Sequence, residues 1–171
     1  MSKYYYLYEH TKTVSSHNIE ILNETTVSGK PKITFNSILQ EADVKNQNKR
    51  TYGRAICEGI VSKLSNKVNN KSLLMEIDHP LFVSDDPEIL KRRSTVVELN
   101  NCGALIKNLK FDKGLIIGEI STLSGFKGPD LANLIHDGVN FGFSLRALGS
   151  VERLSDGSMN VVEPMIPIHF E

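Results

Sequence analysis

A chain of 171 residues, 40% hydrophobic and 23% charged, is long enough to bury a core without disulfides or a structural metal. Its 20 basic and 20 acidic residues cancel, which argues against a nucleic-acid binder with its basic excess and leaves an enzyme open. No apolar run approaches the roughly 18 residues of a membrane span, and a tyrosine cluster stands at the N-terminus where a signal peptide would have basic and apolar regions, so a cytosolic protein without a membrane partner is expected.

Residues 3–8 have strong β propensity, and the polar stretch from Glu9 to Lys30 reads as strand and loop. Lys32 to Val44 alternates as a strand. From Tyr52 to Leu64 the apolar positions Ala55, Ile56, Ile60, Val61 and Leu64 follow a helical period. Ser72 to Ile77 is a short apolar strand that Pro80 stops, because proline lacks an N–H and restricts the residue before it. Asp85 to Arg93 has a charged, helical character. Strands are expected at Ser94 to Leu99, Gly103 to Phe111 and Gly114 to Ser121, the last two forming a hairpin around Asp112-Lys113-Gly114. Pro129 and Asp130 open a helix through Leu131, Leu134 and Ile135, which Gly138 ends. Phe141 to Val151 and Met159 to Ile168 alternate again, with a turn at Ser155-Asp156-Gly157. The expectation is an α+β fold, a mainly antiparallel β-barrel-like core with a few helices packed outside, forming one domain over 1–171.

Metal and cofactor chemistry find no footing. There is no glycine-rich phosphate loop, no dinucleotide fingerprint and no carboxylate pair of glycosidase spacing. The histidines at 10, 17, 79, 136 and 169 make no ligand pair. His10 and His17 read as solvated, and His136 sits near a helix end, where the dipole favours positive charge. Cys57 and Cys102 lie in unrelated segments and read as two small buried hydrophobes.

His79 differs in context: it follows an apolar strand and is locked by Pro80, which holds the ring on a rigid element as a general base requires. Ser144 is preceded by Gly142 and followed by Gly149, which allow close backbone approach. Arg146 shares a strand face with Ser144 and could stabilise an anion or support the site. Taken alone, each admits an ordinary account, a turn histidine bonding locally and a serine on a barrel strand. No nucleophile elbow is present, which disfavours a serine esterase of the α/β-hydrolase type.

Three ordered segments resemble the prohead core protein proteases of tailed bacteriophages, which share a fold with the herpesvirus capsid-assembly protease. They are Asn46-Gln47-Asn48-Lys49-Arg50-Thr51-Tyr52, Met75-Glu76-Ile77-Asp78-His79-Pro80, and Gly142-Phe143-Ser144-Leu145-Arg146-Ala147-Leu148-Gly149-Ser150. Gly118-Glu119-Ile120 and the stretch from Gly128 to Ile135 match the family's hairpin and connecting helix, so the likeness runs from about residue 40 to 163. The resemblance implies a herpesvirus-protease-like fold and a serine endopeptidase with Ser144 as nucleophile and His79 as base. It also implies phage scaffold, core and capsid proteins as substrates, cleavage after glutamate with a basic or polar pocket for that residue, and action inside the assembling prohead in the host cytoplasm. Homo-oligomers fit the same picture, and neither cofactor nor metal is implied.

The family's acidic third member lies on a strand after the serine hairpin, and the stretch that follows it there is absent here. His169 and Glu171 share a strand face, and either could orient His79, or the acid could fall beyond the last residue. A terminal Glu171 would also suit truncation or self-processing after glutamate. An inactive protease-fold scaffold protein without a complete triad is the alternative. Asn46 to Tyr52 has no evident chemical role and reads as a turn feeding the helix, with substrate or subunit contact as the second reading.

Overall fold

The computed structural model describes residues 5–10, 19–79 and 86–171. The expectations for residues 3 and 4, His17, Pro80 and Asp85 lie outside the described residues, as does the side chain of His10. The described strands are β1 (Tyr5–His10), β2 (Glu20–Val27), β3 (Lys30–Glu41), β4 (Arg50–Tyr52), β5 (Leu74–Glu76), β6 (Cys102–Asp112), β7 (Leu115–Thr122), β8 (Ser144–Arg153) and β9 (Met159–Phe170). The helices are α1 (Arg54–Asn69), α2 (Pro87–Thr95) and α3 (Gly128–His136). One sheet has the order β1-β8-β9-β4 and the other β2-β3-β7-β6-β5. Every pairing is antiparallel except that of β4 with β9.

The fold is therefore α+β with mostly antiparallel strands, and among the described residues the sheets do not close into the expected barrel. The reason lies where β5 approaches β9. Side chains fill that seam in place of a backbone ladder: His169 Nδ1 meets the Leu74 carbonyl at 3.2 Å, and Glu76 reaches Arg146 on β8. Helix α1 joins the sheets, burying Cys57, Ile60 and Leu64 along one stripe and packing on both β6 and β9. It runs past the expected end at Leu64 because polar anchors replace the apolar stripe. Lys63 Nζ donates to the Met165 carbonyl at 2.7 Å and Lys67 Nζ to the Ile168 carbonyl at 2.8 Å.

Local chemistry explains the other boundaries. Lys113 and Gly114 adopt φ of 50° and 88°, two successive positive values that suit a tight hairpin between β6 and β7. Asp86 caps α2 by accepting from the Glu88 N–H at 2.9 Å, with Pro87 at the first helical position. The strand expected at 94–99 does not form. Ser94 and Thr95 close the helix by bonding back to the Leu90 and Lys91 carbonyls, and the Glu98 N–H is taken by the Glu76 carboxylate at 2.6 Å. Asn46 Oδ1 accepts from the N–H groups of Asn48 and Arg50 at 3.0 and 2.9 Å, and Met159 N–H reaches the Lys49 carbonyl at 2.9 Å. The Asn46 to Tyr52 segment is thus a turn that seats β4 beside β9 and feeds α1.

Gly128, which opens α3, is fixed by close approach. A Cβ there would lie 2.0 Å from the Leu123 carbonyl oxygen and 2.5 Å from its carbon, atoms of the backbone that cannot swing away. Gly128→Ala is expected to cost about 3 kcal/mol or more, read as a fall in the urea midpoint without loss of two-state behaviour.

Candidate active site

His79 hangs from the end of β5. The Ile77 N–H donates to the Asn101 carbonyl at 2.8 Å, and Asp78 then takes a left-handed φ of 66°, a conformation that aspartate tolerates. The sharp turn at Asp78 swings the next residue out of the strand line, so among the described residues the positioning of His79 rests on this turn.

Ser144 opens β8 opposite Glu171, at the end of β9. The two exchange both backbone hydrogen bonds, Ser144 N–H to the Glu171 carbonyl at 3.0 Å and Glu171 N–H to the Ser144 carbonyl at 2.8 Å. Directly opposed residues of an antiparallel pair project their side chains to one face. Alternation adds Arg146, and its opposed partner His169, to the same face. The other face carries Leu145, Ala147 and Phe170 into the core, so this end of the two strands is buried on both sides.

The polar face folds onto β5. The Glu171 carboxylate contacts His79 Nδ1 through Oε2, and Arg146 Nε and Nη2 through Oε1. Arg146 Nη2 also meets Glu76 Oε2, and its Nη1 donates to the Arg93 carbonyl at 3.3 Å. Glu76 in turn accepts from Arg93 Nη1 at 3.1 and 3.3 Å. Arg146 is 1% exposed, and the Glu76 and Glu171 side chains are 0% and 2% exposed. His169 turns Nδ1 to Leu74 and lies 3.4 Å from Glu171 Oε1 through Nε2, without hydrogen-bond alignment. Of the two residues that could have oriented His79, the fold places Glu171 on it and turns His169 away.

Burial alone would push the Glu171 carboxyl up. The contacts with His169 and His79 and the charge of Arg146 overrule it, holding the group at about 2 against the ordinary 4.5. A carboxyl depressed by folding stabilises the fold above its unfolded value, and that contribution is lost as pH falls through the folded one. The difference in urea midpoint between wild type and Glu171→Gln is therefore expected to be full above about pH 4.5 and to shrink steadily toward pH 2. A difference independent of pH over that window would contradict this electrostatic account.

Glu76, His169 and Glu171 hold ligand atoms within 4.8 Å of one another, a spacing a cation could use. The Arg146 guanidinium already sits on both of these carboxylates, so the positive charge there comes from the chain itself. The cysteines offer no rival nucleophile. Burial pushes the Cys57 thiol up to about 12 and the Cys102 thiol to about 11. His136 forms a loose exposed contact with Asp137 at 3.6 Å, remote in role from this cluster.

Ser144 itself is 6% exposed, and its Oγ has no hydrogen-bond partner among the described residues. Its neighbour Phe143 and its opposed partner Glu171 line a cavity of about 240 Å³, together with Glu76, Asp78, Leu131 and Phe141. Phe141 and Phe143 meet edge to face at 6.0 Å, which stiffens the approach to the serine. Glu76 and Arg93 are the members of this cluster that sequence reasoning missed. The available signal was a glutamate between Met75 and Ile77, a charge inside an otherwise apolar strand.

The family model for prohead core protein serine proteases matches residues 13–166. Over 131 residues the chain is 29% identical to the prohead core protein protease of enterobacteria phage T4, covering 75% of this chain and 56% of that protein. The chain thus spans little more than half the length of that curated relative. Its fold is similar to that of the bacteriophage T4 capsid assembly protease, with a TM-score of 0.74 and 24% identity, covering 98% of this chain and 94% of that chain.

Proposed function

The chain belongs to the prohead core protein serine protease family, and from that premise we propose that it is a serine endopeptidase of phage prohead maturation. Its substrates are the scaffold, core and capsid proteins of the assembling prohead in the host cytoplasm, cut after glutamate. Ser144 is the nucleophile, His79 the general base, and Glu171 the acid that orients His79. The observation that carries this is the Glu171 carboxylate on His79 Nδ1, with Ser144 opposed to Glu171 in the ladder.

The chemistry follows from that arrangement. Glu171 accepts the Nδ1 proton of His79, which leaves Nε2 as the basic nitrogen. Nε2 takes the hydroxyl proton as Ser144 Oγ attacks the scissile carbonyl carbon. The same proton passes to the departing amine, and water then releases the acyl group by the reverse sequence. The unpartnered Oγ is a resting nucleophile, since such hydrogen bonds often tighten only in the substrate complex. Of the two roles expected for Arg146, its commitment to Glu76, Glu171 and the Arg93 carbonyl favours support over oxyanion binding. The Ser144 N–H is likewise engaged, by Glu171.

The apolar cavity suits an uncharged side chain of the substrate. A glutamate there would meet a cavity lined by Glu76, Asp78 and Glu171, so its basic or polar pocket belongs elsewhere on the surface. One protease domain over 1–171, kinship with the herpesvirus fold and homo-oligomer formation belong to the same proposal. The rival, an inert protease-fold scaffold protein, drew its support from a missing third residue, and the contact of Glu171 with His79 weakens that support. Incubation with phage core or scaffold protein, followed by mapping of new termini, tests the function. New C-terminal glutamates are expected; an intact substrate, or cleavage equally fast with Ser144→Ala, rejects it.

A further inference from the structure

The proposed reaction uses Ser144, His79 and Glu171, yet a second carboxylate is buried behind them. Glu76 sits at the end of β5, three residues before His79, with its side chain fully enclosed. Three donors fix it: Arg93 Nη1 from α2, the Glu98 backbone N–H at 2.6 Å, and Arg146 Nη2 from β8. As a stabiliser this cluster is a poor choice. Buried ion pairs cost desolvation that their attraction barely offsets, and apolar replacements of similar volume are often as stable or more so.

Its geometry has a more specific consequence. A carboxylate held from three directions is a fixed anion, and it leaves the Arg146 guanidinium a single orientation. In that orientation Nε and Nη2 both engage Oε1 of Glu171, which anchors that oxygen and leaves Oε2 for His79. Without Glu76, Arg146 would be free to draw Glu171 away from the imidazole. We propose that Glu76 is a positioning residue of the reaction, acting through Arg146 to hold the Glu171 carboxylate in the rotamer that orients His79. Resting on the Ser144–His79–Glu171 reading, this extends it by one carboxylate and one guanidinium.

Glu76→Gln keeps the shape and removes the charge. With a fluorophosphonate as probe, the maximal rate of phosphonylation at Ser144 is expected to fall about 10²-fold, the loss typical of a small misplacement of catalytic groups. The half-saturating probe concentration should change far less than the rate, because the Glu76 carboxylate, although the residue borders the cavity, is fully enclosed and held by its three donors. In a Glu171→Gln background, Glu76→Gln should cost nothing further, since its effect passes through Glu171. Equal losses in both backgrounds overturn the proposal and leave Glu76 a structural residue.

A second readout needs no activity. The imidazole proton on Nδ1 of His79 should give a low-field proton resonance that vanishes in Glu171→Gln and shifts or broadens in Glu76→Gln. An unmoved resonance in folded Glu76→Gln overturns the positioning role even in a protein that reacts with no probe. Conversely, a shifted resonance without phosphonylation upholds the positioning and rejects the protease reading. Should Glu76→Gln not fold, Arg146→Lys is read in its place, because an ammonium cannot bridge the two carboxylates as the planar fork does. If neither folds, the role is structural and the proposal fails.

Discussion

Ser144→Ala is expected to abolish turnover while leaving the fold at least as stable as before. In a serine protease the nucleophile and its base act as a unit, and removing either costs on the order of 10⁶-fold in kcat. His79→Ala should therefore be as inactive as Ser144→Ala, and the double variant no worse. The stability half of the expectation comes from burial. Ser144 Oγ is enclosed without a hydrogen-bond partner among the described residues, a condition that costs the folded state about 1–3 kcal/mol. Alanine deletes that orphaned hydroxyl, so the urea midpoint should hold or rise. A gain in stability together with loss of activity is the pattern of a residue kept for chemistry at the expense of folding. A variant that cleaves normally, or that unfolds, contradicts it.

Glu171→Gln carries the second large effect. The carboxylate can only accept, so it demands a proton on His79 Nδ1 and leaves Nε2 basic. The amide can instead donate its N–H₂ to Nδ1, which stabilises the tautomer with the proton on Nε2, where it blocks uptake from Ser144. An amide replacing the acid of a Ser-His-Asp triad lowers kcat by about 10⁴-fold with geometry intact, and a loss of that order is expected here. Glu171→Asp should lose less, since it keeps an acceptor-only group. The amide also weakens the grip on Arg146, costing about 2 kcal/mol of stability at neutral pH. Kinetics of single-turnover acylation separate the two consequences, because a merely destabilised variant recovers its rate at lower temperature and a wrong tautomer does not.

Much of the fold was legible because its periodicities are local. The helical stripe through Ile60 and Leu64, the Lys113-Gly114 hairpin and the Pro129 helix start each follow from residues within one or two turns of themselves, although Ala55 lies exposed and Cys57 is buried where the stripe enters the core. What escaped depends on distant partners. Strand β4 has three residues and exists because the Asn46 turn sets it beside β9, more than a hundred positions away. The β-branched run at Thr95-Val96-Val97 reads as a strand, yet its neighbouring N–H at Glu98 is claimed by a side chain from β5. The seam between the sheets likewise could not be read, since His169, Arg146 and Glu76 fill it with side-chain bonds that no periodicity encodes.

The site divides along the same line. His79 and Ser144 stood out through their motifs. Period-2 alternation put both His169 and Glu171 on the right face and could not choose between them, because the choice belongs to β5: Leu74 takes the His169 ring with its carbonyl, and His79 meets Glu171. Arg146 was legible as a neighbour of Ser144, but its direction, inward to two carboxylates, required knowing where Glu76 lies.

Mapping of fluorophosphonate adducts by mass spectrometry, on wild type, His79→Ala and Glu171→Gln side by side, tests the central claim most directly. A single adduct on Ser144 in wild type, slowed by orders of magnitude in both variants, is the result expected of a serine activated by His79 and Glu171. An unmodified Ser144, an adduct on another serine, or a rate untouched by either substitution would contradict it.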